Sequence, residues 1–494
     1  MSLGKDHFSR RWMLGAMLSG ASLPVWADAP LTSIRPVRRG AAAKPAVPDA
    51  AGLIEAAKLG GALGYVVADA ATGRVLEGSN AALPLPPASV AKAMTALFAL
   101  EKLGSGRRFS TQVLATGPVV AGRVEGDLVL VGSGDPTLST DHLGDMAAQL
   151  AARGVRGVTG RFLVYGDALP AIDQISDDQP DHVGYNPAIA GLNLNFNRVN
   201  FEWKRVAGDY SVSMDARGER FMPFVDMARM QIAERETPLF TYASGAGVDH
   251  WTVASAALGT GGSRWMPVRQ PLVYAGEVFR TLALAQGTSL PQASVLRGVP
   301  AGTRLVEHRS DPLDAMLRDM LKFSTNLTAE VLGLAASGAK DLPASARAMS
   351  EWARADCGVD ARYVDHSGLN GASRISASDM VTVLVRARSN PNGAVLRNVL
   401  RYVGMRDAAG KEMQDHPVRV LAKSGTLNFV SGLAGYIVPP AGPELAFAIF
   451  AADTARRDRL TEAEREQPEG GEAWTKRARR LQGQLISRWA GLYA

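Results

Sequence analysis

The chain has one cysteine, Cys357, in 494 residues, which excludes an internal disulfide and any multi-cysteine metal site. Its seven histidines lie far apart, so no His-x-x-x-His pair is present to seat a metal. Charge excess is small, a net +6 from 54 basic and 48 acidic residues, and the basic residues are dispersed. Nucleic acid is therefore not an expected partner, and the balance allows at most a peripheral attraction to a membrane or an anionic wall polymer. No Gly-x-Ser-x-Gly elbow occurs, which disfavours a Ser-His-Asp hydrolase. Lysine is scarce too, 11 of the 54 basic residues. Arginine cannot give up its proton in a protein, so a lysine in an apolar setting stands out as a candidate base.

What is present reads as a soluble, globular chain, with 46% hydrophobic and 21% charged residues, too long for one ordinary core. Residues 1–27 read as an export signal. Ser9-Arg10-Arg11-Trp12-Met13-Leu14 supplies a twin-arginine start, and the apolar run Met13 to Trp26 is broken by Gly15, Gly20 and Pro24, too short to span a bilayer comfortably. A periplasmic location is the corresponding expectation. Residues 28–50 are rich in Pro, Ala and Arg and read as a leader.

Gly64 to Asp69 and Arg74 to Gly78 predict one β-hairpin; Leu433 to Val438 and Leu445 to Phe450 predict a second. Their strands are largely apolar, as in a sheet covered by helices. Between them, residues 109–304 are rich in Val, Thr and Gly and predict an inserted, mostly β region of two subdomains. Helical spacing returns after 305 with Leu313, Met316, Leu317, Met320 and Leu321. The insertion therefore splits one domain, 28–108 and 305–494. A final helix over 474–492 has an apolar stripe of Trp474, Ala478, Leu481, Leu485, Trp489 and Leu492, expected to cover the sheet.

Pro86-Pro87-Ala88-Ser89-Val90-Ala91-Lys92 opens an Ala/Leu/Met-rich run that favours helix, so Ser89 falls at a helix start with Lys92 one turn on. A serine hydroxyl needs a neighbour to take its proton, and a neutral amine can do so. Ser-x-x-Lys arises about once by chance in a chain of this size. Here it occurs three times, but only the Ser89 copy opens a helix. Ser324-Thr325-Asn326 is the single Ser-x-Asn, and Lys423-Ser424-Gly425 the single Lys-hydroxyl-Gly. Burial among Ala, Met and Phe, with a second cation at Lys423, is expected to lower the Lys92 pKa toward neutrality.

In this order the three motifs resemble the signatures of the penicillin-recognising serine enzymes. The long insertion between the first two, and the 97 residues from Asn326 to Lys423, resemble the D-alanyl-D-alanine carboxypeptidase/endopeptidase family of the penicillin-binding protein 4 type, peptidase family S13. Gly132-Ser133-Gly134-Asp135-Pro136-Thr137-Leu138 and Asp365-His366-Ser367-Gly368-Leu369 resemble its other recurring stretches. Two departures are Ser424 where the family usually has Thr, and His366 where it commonly has Gly.

The resemblance implies an α+β fold, a transpeptidase-like domain with an antiparallel sheet covered by helices, and no metal or organic cofactor. It implies that Ser89 attacks the carbonyl of the penultimate D-alanine of a peptidoglycan stem peptide, with Lys92 as base. Ser324 would relay a proton between Lys92, Lys423 and the leaving amine, and Asn326 would bond the substrate amide. Lys423 would stabilise negative charge, Ser424 would hold the terminal carboxylate, and Gly425 would let the substrate lie along an edge strand. The backbone N–H groups of Ser89 and Thr426 would form the oxyanion hole. β-Lactams would acylate Ser89 as covalent inhibitors. Asp181 with Tyr185, beside Asp177 and Asp178, would receive the free amino end of the diamino acid. The competing readings are a β-lactamase and a catalytically silent wall-binding protein.

Overall fold

The computed structural model describes residues 47–493 apart from Ala246 and 408–410. The expected export signal at 1–27 lies outside them.

The two hairpins from opposite ends of the chain join in one six-stranded antiparallel sheet. Its strands run Arg401–Val403, Arg419–Leu427, Val430–Val438, Leu445–Ala452, Ala62–Asp69 and Val75–Ser79. Successive side chains point to opposite faces of a strand, so one apolar run can supply two cores. Val66, Ala68, Ala434, Tyr436, Ala448 and Phe450 pack with the helices Ala91–Leu103, Leu313–Phe323, Leu342–Cys357 and Ala377–Arg388. Tyr65, Val67, Leu433, Ile437, Phe447 and Ile449 pack with Leu481, Leu485, Ile486 and Trp489 of the C-terminal helix Gly471–Tyr493. Each fully buried Val, Leu, Ile or Phe among them contributes roughly 2 kcal/mol of hydrophobic stabilisation, and each alanine methyl about 0.8 kcal/mol. The C-terminal stripe thus covers the sheet from Trp474 to Trp489, as its spacing predicted, while Leu492 is exposed.

Residues 110–309 form a separate core. A mixed five-stranded sheet runs Ala293–Val295, Phe162–Tyr165, Leu128–Gly132, Ser110–Ala115, Thr303–Arg309. Two further three-stranded sheets, built from Arg198–Val206 and Val248–Ala254 with their neighbours, complete most of the region. Two helices depart from the expectation of a mostly β region. Thr140–Ala152 buries Leu143, Met146, Ala147 and Leu150, and Pro271–Ala285 buries Tyr274, Val278, Phe279 and Leu282. Their 3.6-residue spacing was present but diluted by the surrounding Val, Thr and Gly. The strand Thr303–Arg309 also crosses the expected boundary at 304, because it pairs with Ser110–Ala115.

One excursion of this region reaches back to the first core. Leu169, Ile175 and Ile189 pack against Leu327, Val331, Leu334 and Leu369, which brings Tyr185 beside the helix Asn326–Ser337.

Candidate active site

The two prolines end in a single 3₁₀ turn, Ala88–Val90, which runs directly into Ala91–Leu103. Every residue from Ala91 to Leu100 is buried, so this helix lies in the middle of the molecule, and Lys92 is the one charge in that run. Ala88 has φ +47°, a left-handed conformation that costs an alanine about 1–2 kcal/mol. Such strain persists only where neighbours over-determine it. Here Gly368 and Gly425 press on the turn: a Cβ on Gly368 would lie 1.9 Å from the Ala88 carbonyl oxygen, and one on Gly425 would lie 2.6 Å from that of Pro87 and 2.8 Å from the Ser89 nitrogen.

Lys92 is wholly buried and donates three hydrogen bonds, to Ser89 Oγ at 2.9 Å, Asn326 Oδ1 at 2.7 Å and the Ser367 carbonyl at 2.8 Å. Burial lowers its pKa to about 7 against the opposing pull of the Asp365 and Glu330 carboxylates. The amine is therefore neutral in a large fraction of molecules near pH 7. The expected help from Lys423 is not the cause. The repulsion is felt instead at Lys423, whose pKa burial lowers well below the usual lysine value, with Lys92 and then Arg401 adding to the effect.

Below Lys92 sits a buried acidic layer made of Asp365, from the stretch singled out in the sequence, and Glu330, which belongs to no motif. Glu330 accepts from the backbone N–H of His366 (3.0 Å) and Ser367 (2.8 Å), and burial pushes its pKa up to about 8. Asp365 accepts from the N–H groups of Gly368 and Asn370, and burial raises its pKa. The two carboxyls hold the 365–370 loop whose Ser367 carbonyl in turn holds Lys92. A signal did exist: Glu330 is one turn after Asn326, on the same helix face.

Ser324 links the helices Leu313–Phe323 and Asn326–Ser337 in a left-handed conformation, φ +59°. That turn aims its hydroxyl at Lys423, whose Nζ donates to Ser324 Oγ at 3.0 Å and to the Ser424 carbonyl at 2.7 Å. Lys92 bonds Asn326, so of the contacts expected of Ser324 the structure shows the one to Lys423 and not the one to Lys92. Asn326 is committed at both ends, since its Nδ2 donates to the Tyr185 carbonyl at 2.9 Å. Residues Lys423 to Leu427 extend past the end of the neighbouring short strand, which pairs only with Val420, Leu421 and Ala422. Of this stretch Thr426 and Leu427 line a cleft of about 1020 Å³ together with Ser89, Tyr185, Ser324 and Asn326, whereas Ser424 and Gly425 line a cavity on the side of the C-terminal helix. Glycine at 425 is required by the approach of the Ser89 turn itself.

Residues 50–474 match the D-Ala-D-Ala carboxypeptidase 3 (S13) family. The chain belongs to that family. It is 32% identical over 455 residues to a D-alanyl-D-alanine carboxypeptidase of Actinomadura sp. (strain R39), covering 82% of this chain and 83% of that protein. It is 23% identical over 415 residues to D-alanyl-D-alanine carboxypeptidase DacB of Haemophilus influenzae, covering 79% and 85%. The fold is similar to the crystal structure of penicillin binding protein 4 (dacB) from Haemophilus influenzae, with TM-score 0.71 at 19% identity, covering 89% of this chain and 99% of that one.

Around this S13 centre the remaining expected residues separate. Tyr185 lines the cleft and its hydroxyl donates to Gln179 at 3.3 Å. Asp181 is exposed and absent from the cleft lining; its carbonyl accepts from Arg269 at 2.7 Å. Asp178 pairs with Arg457 and Asp177 accepts from Gln174. The acids that do line the cleft are Glu466, tied to His182 and Arg264, and Glu472, tied to Lys476. His366 is a core residue behind the site. Its Nε2 lies 2.6 Å from Ser345 Oγ, burial lowers its pKa to about 3, and Gly333 makes room for its ring. Among the described residues no group of His, Cys, Asp and Glu is arranged to hold a metal ion.

Proposed function

We propose that this S13 enzyme is a serine-type D-Ala-D-Ala carboxypeptidase and/or D,D-endopeptidase acting on peptidoglycan stem peptides. The observation that carries the reading is the 2.9 Å contact between a fully buried, pKa-lowered Lys92 and the Ser89 hydroxyl. In the first step Ser89 Oγ bonds to the carbonyl carbon of the penultimate D-alanine, and Lys92 takes the hydroxyl proton. The amide C–N bond then breaks, and the leaving amine receives that proton, with Lys423 and Ser324 at its side. Water hydrolyses the ester and restores Ser89.

The backbone N–H groups of Ser89 and Thr426 are assigned to the oxyanion, supported by the close approach of the 425 backbone to the Ser89 nitrogen. Ser424 and Thr426 are assigned to the carboxylate of the leaving residue. Tyr185 is assigned to the far end of the stem, with the Asn326 to Tyr185 bond fixing its backbone. In this reading residues 47–109 and 310–493 make up the catalytic domain and 110–309 the insertion, with the strand Thr303–Arg309 on the insertion's side. The protein acts outside the cytoplasmic membrane after twin-arginine export; no helix among the described residues is long and apolar enough to cross a membrane.

The test is mass measurement of the intact protein after incubation with penicillin. A long-lived adduct of one penicillin, lost in Ser89→Ala, together with release of D-alanine from a pentapeptide, is the expected result. Rapid turnover of penicillin without an adduct would instead identify a β-lactamase, and no labelling at all a silent wall-binding protein.

A further inference from the structure

A second cavity, of about 560 Å³, opens on the side of the strand Arg419–Leu427 that faces the C-terminal helix. Val420, Leu433 and Ile486 line it, with Gln482, whose Nε2 donates to Ser431 Oγ at 3.0 Å. Arg401, Arg406, Lys476, Arg479 and Arg480 also line it, and among the described residues no acidic side chain does. Lys476 pairs with Glu472, one turn back on its helix and facing the Ser89 cleft; Arg479 donates to Thr426 Oγ1 at 3.2 Å. Clustered like charges repel one another and create a local field that favours an anion. Thr426 lines both this cavity and the Ser89 cleft, so the two spaces meet at one residue.

We propose that this cavity receives the leaving half of a cross-linked substrate, a second stem peptide bearing several carboxylates. The inference rests on the acyl-transfer reading above. In that reading the leaving residue lies against Ser424 and Thr426, so whatever is attached to it beyond its own carboxylate continues past Thr426 toward the five cations. A lone D-alanine brings one carboxylate and little volume. A second stem, with carboxylates at its glutamate, its diamino acid and its C-terminus, complements both the space and the charge. The bond changes are those already given: the Ser89 ester forms, the cross-link C–N bond breaks, the second stem departs as an amine carrying the serine proton, and water releases the acyl half.

The experiment gives the full chain three substrates in parallel: a monomeric pentapeptide fragment, a cross-linked dimer and a fluorescent penicillin, with peptide products identified by mass. Lys476→Glu combined with Arg480→Glu reverses the charge of the rim, and Lys476→Gln with Arg480→Gln neutralises it should the first pair fold poorly. For the dimer, kcat/KM is expected to fall about tenfold or more, chiefly through KM, the equivalent of one lost charge-assisted contact. Wild-type cleavage of the dimer is expected to weaken as salt rises. Penicillin presents no second stem, so its acylation rate is expected to stay within about twofold, as for most exposed substitutions. Unchanged dimer cleavage in both variants overturns the proposal, as does a wild type that trims the monomer yet leaves the dimer intact, or an equal loss of penicillin acylation in the variants. Absence of every activity in the wild type would mark failure of the acyl-transfer reading itself, and this proposal would fall with it.

Discussion

Asn326 joins the Lys92 amine to the inserted region: its Oδ1 accepts from Lys92 Nζ at 2.7 Å while its Nδ2 donates to the Tyr185 carbonyl. The middle residue pair of the site is therefore a strut as well as a lining. Asn326→Ala removes both bonds, lets Lys92 swing from Ser89, and is expected to slow penicillin acylation roughly 100-fold, the usual cost of a misplaced reacting group. Stopped-flow labelling measures it; a rate near wild type would show that Ser89 and the Ser367 carbonyl suffice to aim the amine.

Lys92 must be uncharged to accept a proton. With its pKa lowered to about 7 by burial, the acylation rate is expected to rise with pH through about 7 and then level off. Lys92→Arg keeps charge but cannot release its proton, so a loss of 100-fold or more, roughly the contribution of a general base, is expected at every pH. A flat profile for the wild type between pH 5 and 9 would contradict the assignment.

Glycine 425 gives a steric test that removes no side chain. Gly425→Ala puts a Cβ 2.8 Å from the Ser89 nitrogen, so the turn or the strand must shift. Acylation is expected to drop by about two orders of magnitude, while far-ultraviolet circular dichroism keeps its native form. Retained wild-type labelling would mean that the clamp is slack.

The buried Glu330 carboxyl has its pKa raised to about 8 from an ordinary 4.5. The folded state thus keeps a proton that the unfolded chain releases, and this group favours folding fully below about pH 4.5 and loses that contribution as pH rises through about 8. Glu330→Gln is neutral throughout, so its stability relative to wild type is expected to improve steadily from about pH 5 to 8 in urea titrations. Glu330→Ala strands the N–H groups of His366 and Ser367, at about 1–3 kcal/mol each.

Tyr185 and Asp181 separate cleanly. Tyr185→Ala is expected to raise KM for a diaminopimelate-containing peptide several-fold, roughly the loss of one aromatic contact, whereas Asp181→Ala turns it over like wild type because its carboxylate lies outside the cleft lining. The reverse outcome would restore Asp181 to the substrate site.

The parts legible in the linear chain were those that depend on near neighbours. Pro86-Pro87 ahead of an Ala/Met run announces a helix start, and one helical turn then brings Lys92 to Ser89 whatever the rest of the molecule does. Strands of unbroken apolar residues such as Leu445 to Phe450 announce burial on both faces, and the C-terminal stripe announces a cover. The helix Thr140–Ala152 was missed because its apolar period competes with Val- and Gly-rich flanks that favour strand.

Folding settled the partners whose separation in sequence is large. Glu330 carries no motif, yet it fixes the 366–367 backbone on which Lys92 hangs; a carboxylate's neighbours 36 residues away follow from packing, not spacing. The same holds for the choice between Ser324 and Asn326 as the contact of Lys92. It turns on the left-handed φ of Ser324, which no local propensity of serine would favour and which the surrounding cores impose. Composition and pattern therefore established which groups could react, since ionisability and helical pitch are local properties. Which of them lost its charge, and what holds it in line, was decided by the tertiary structure, because desolvation exists only once distant segments exclude water together.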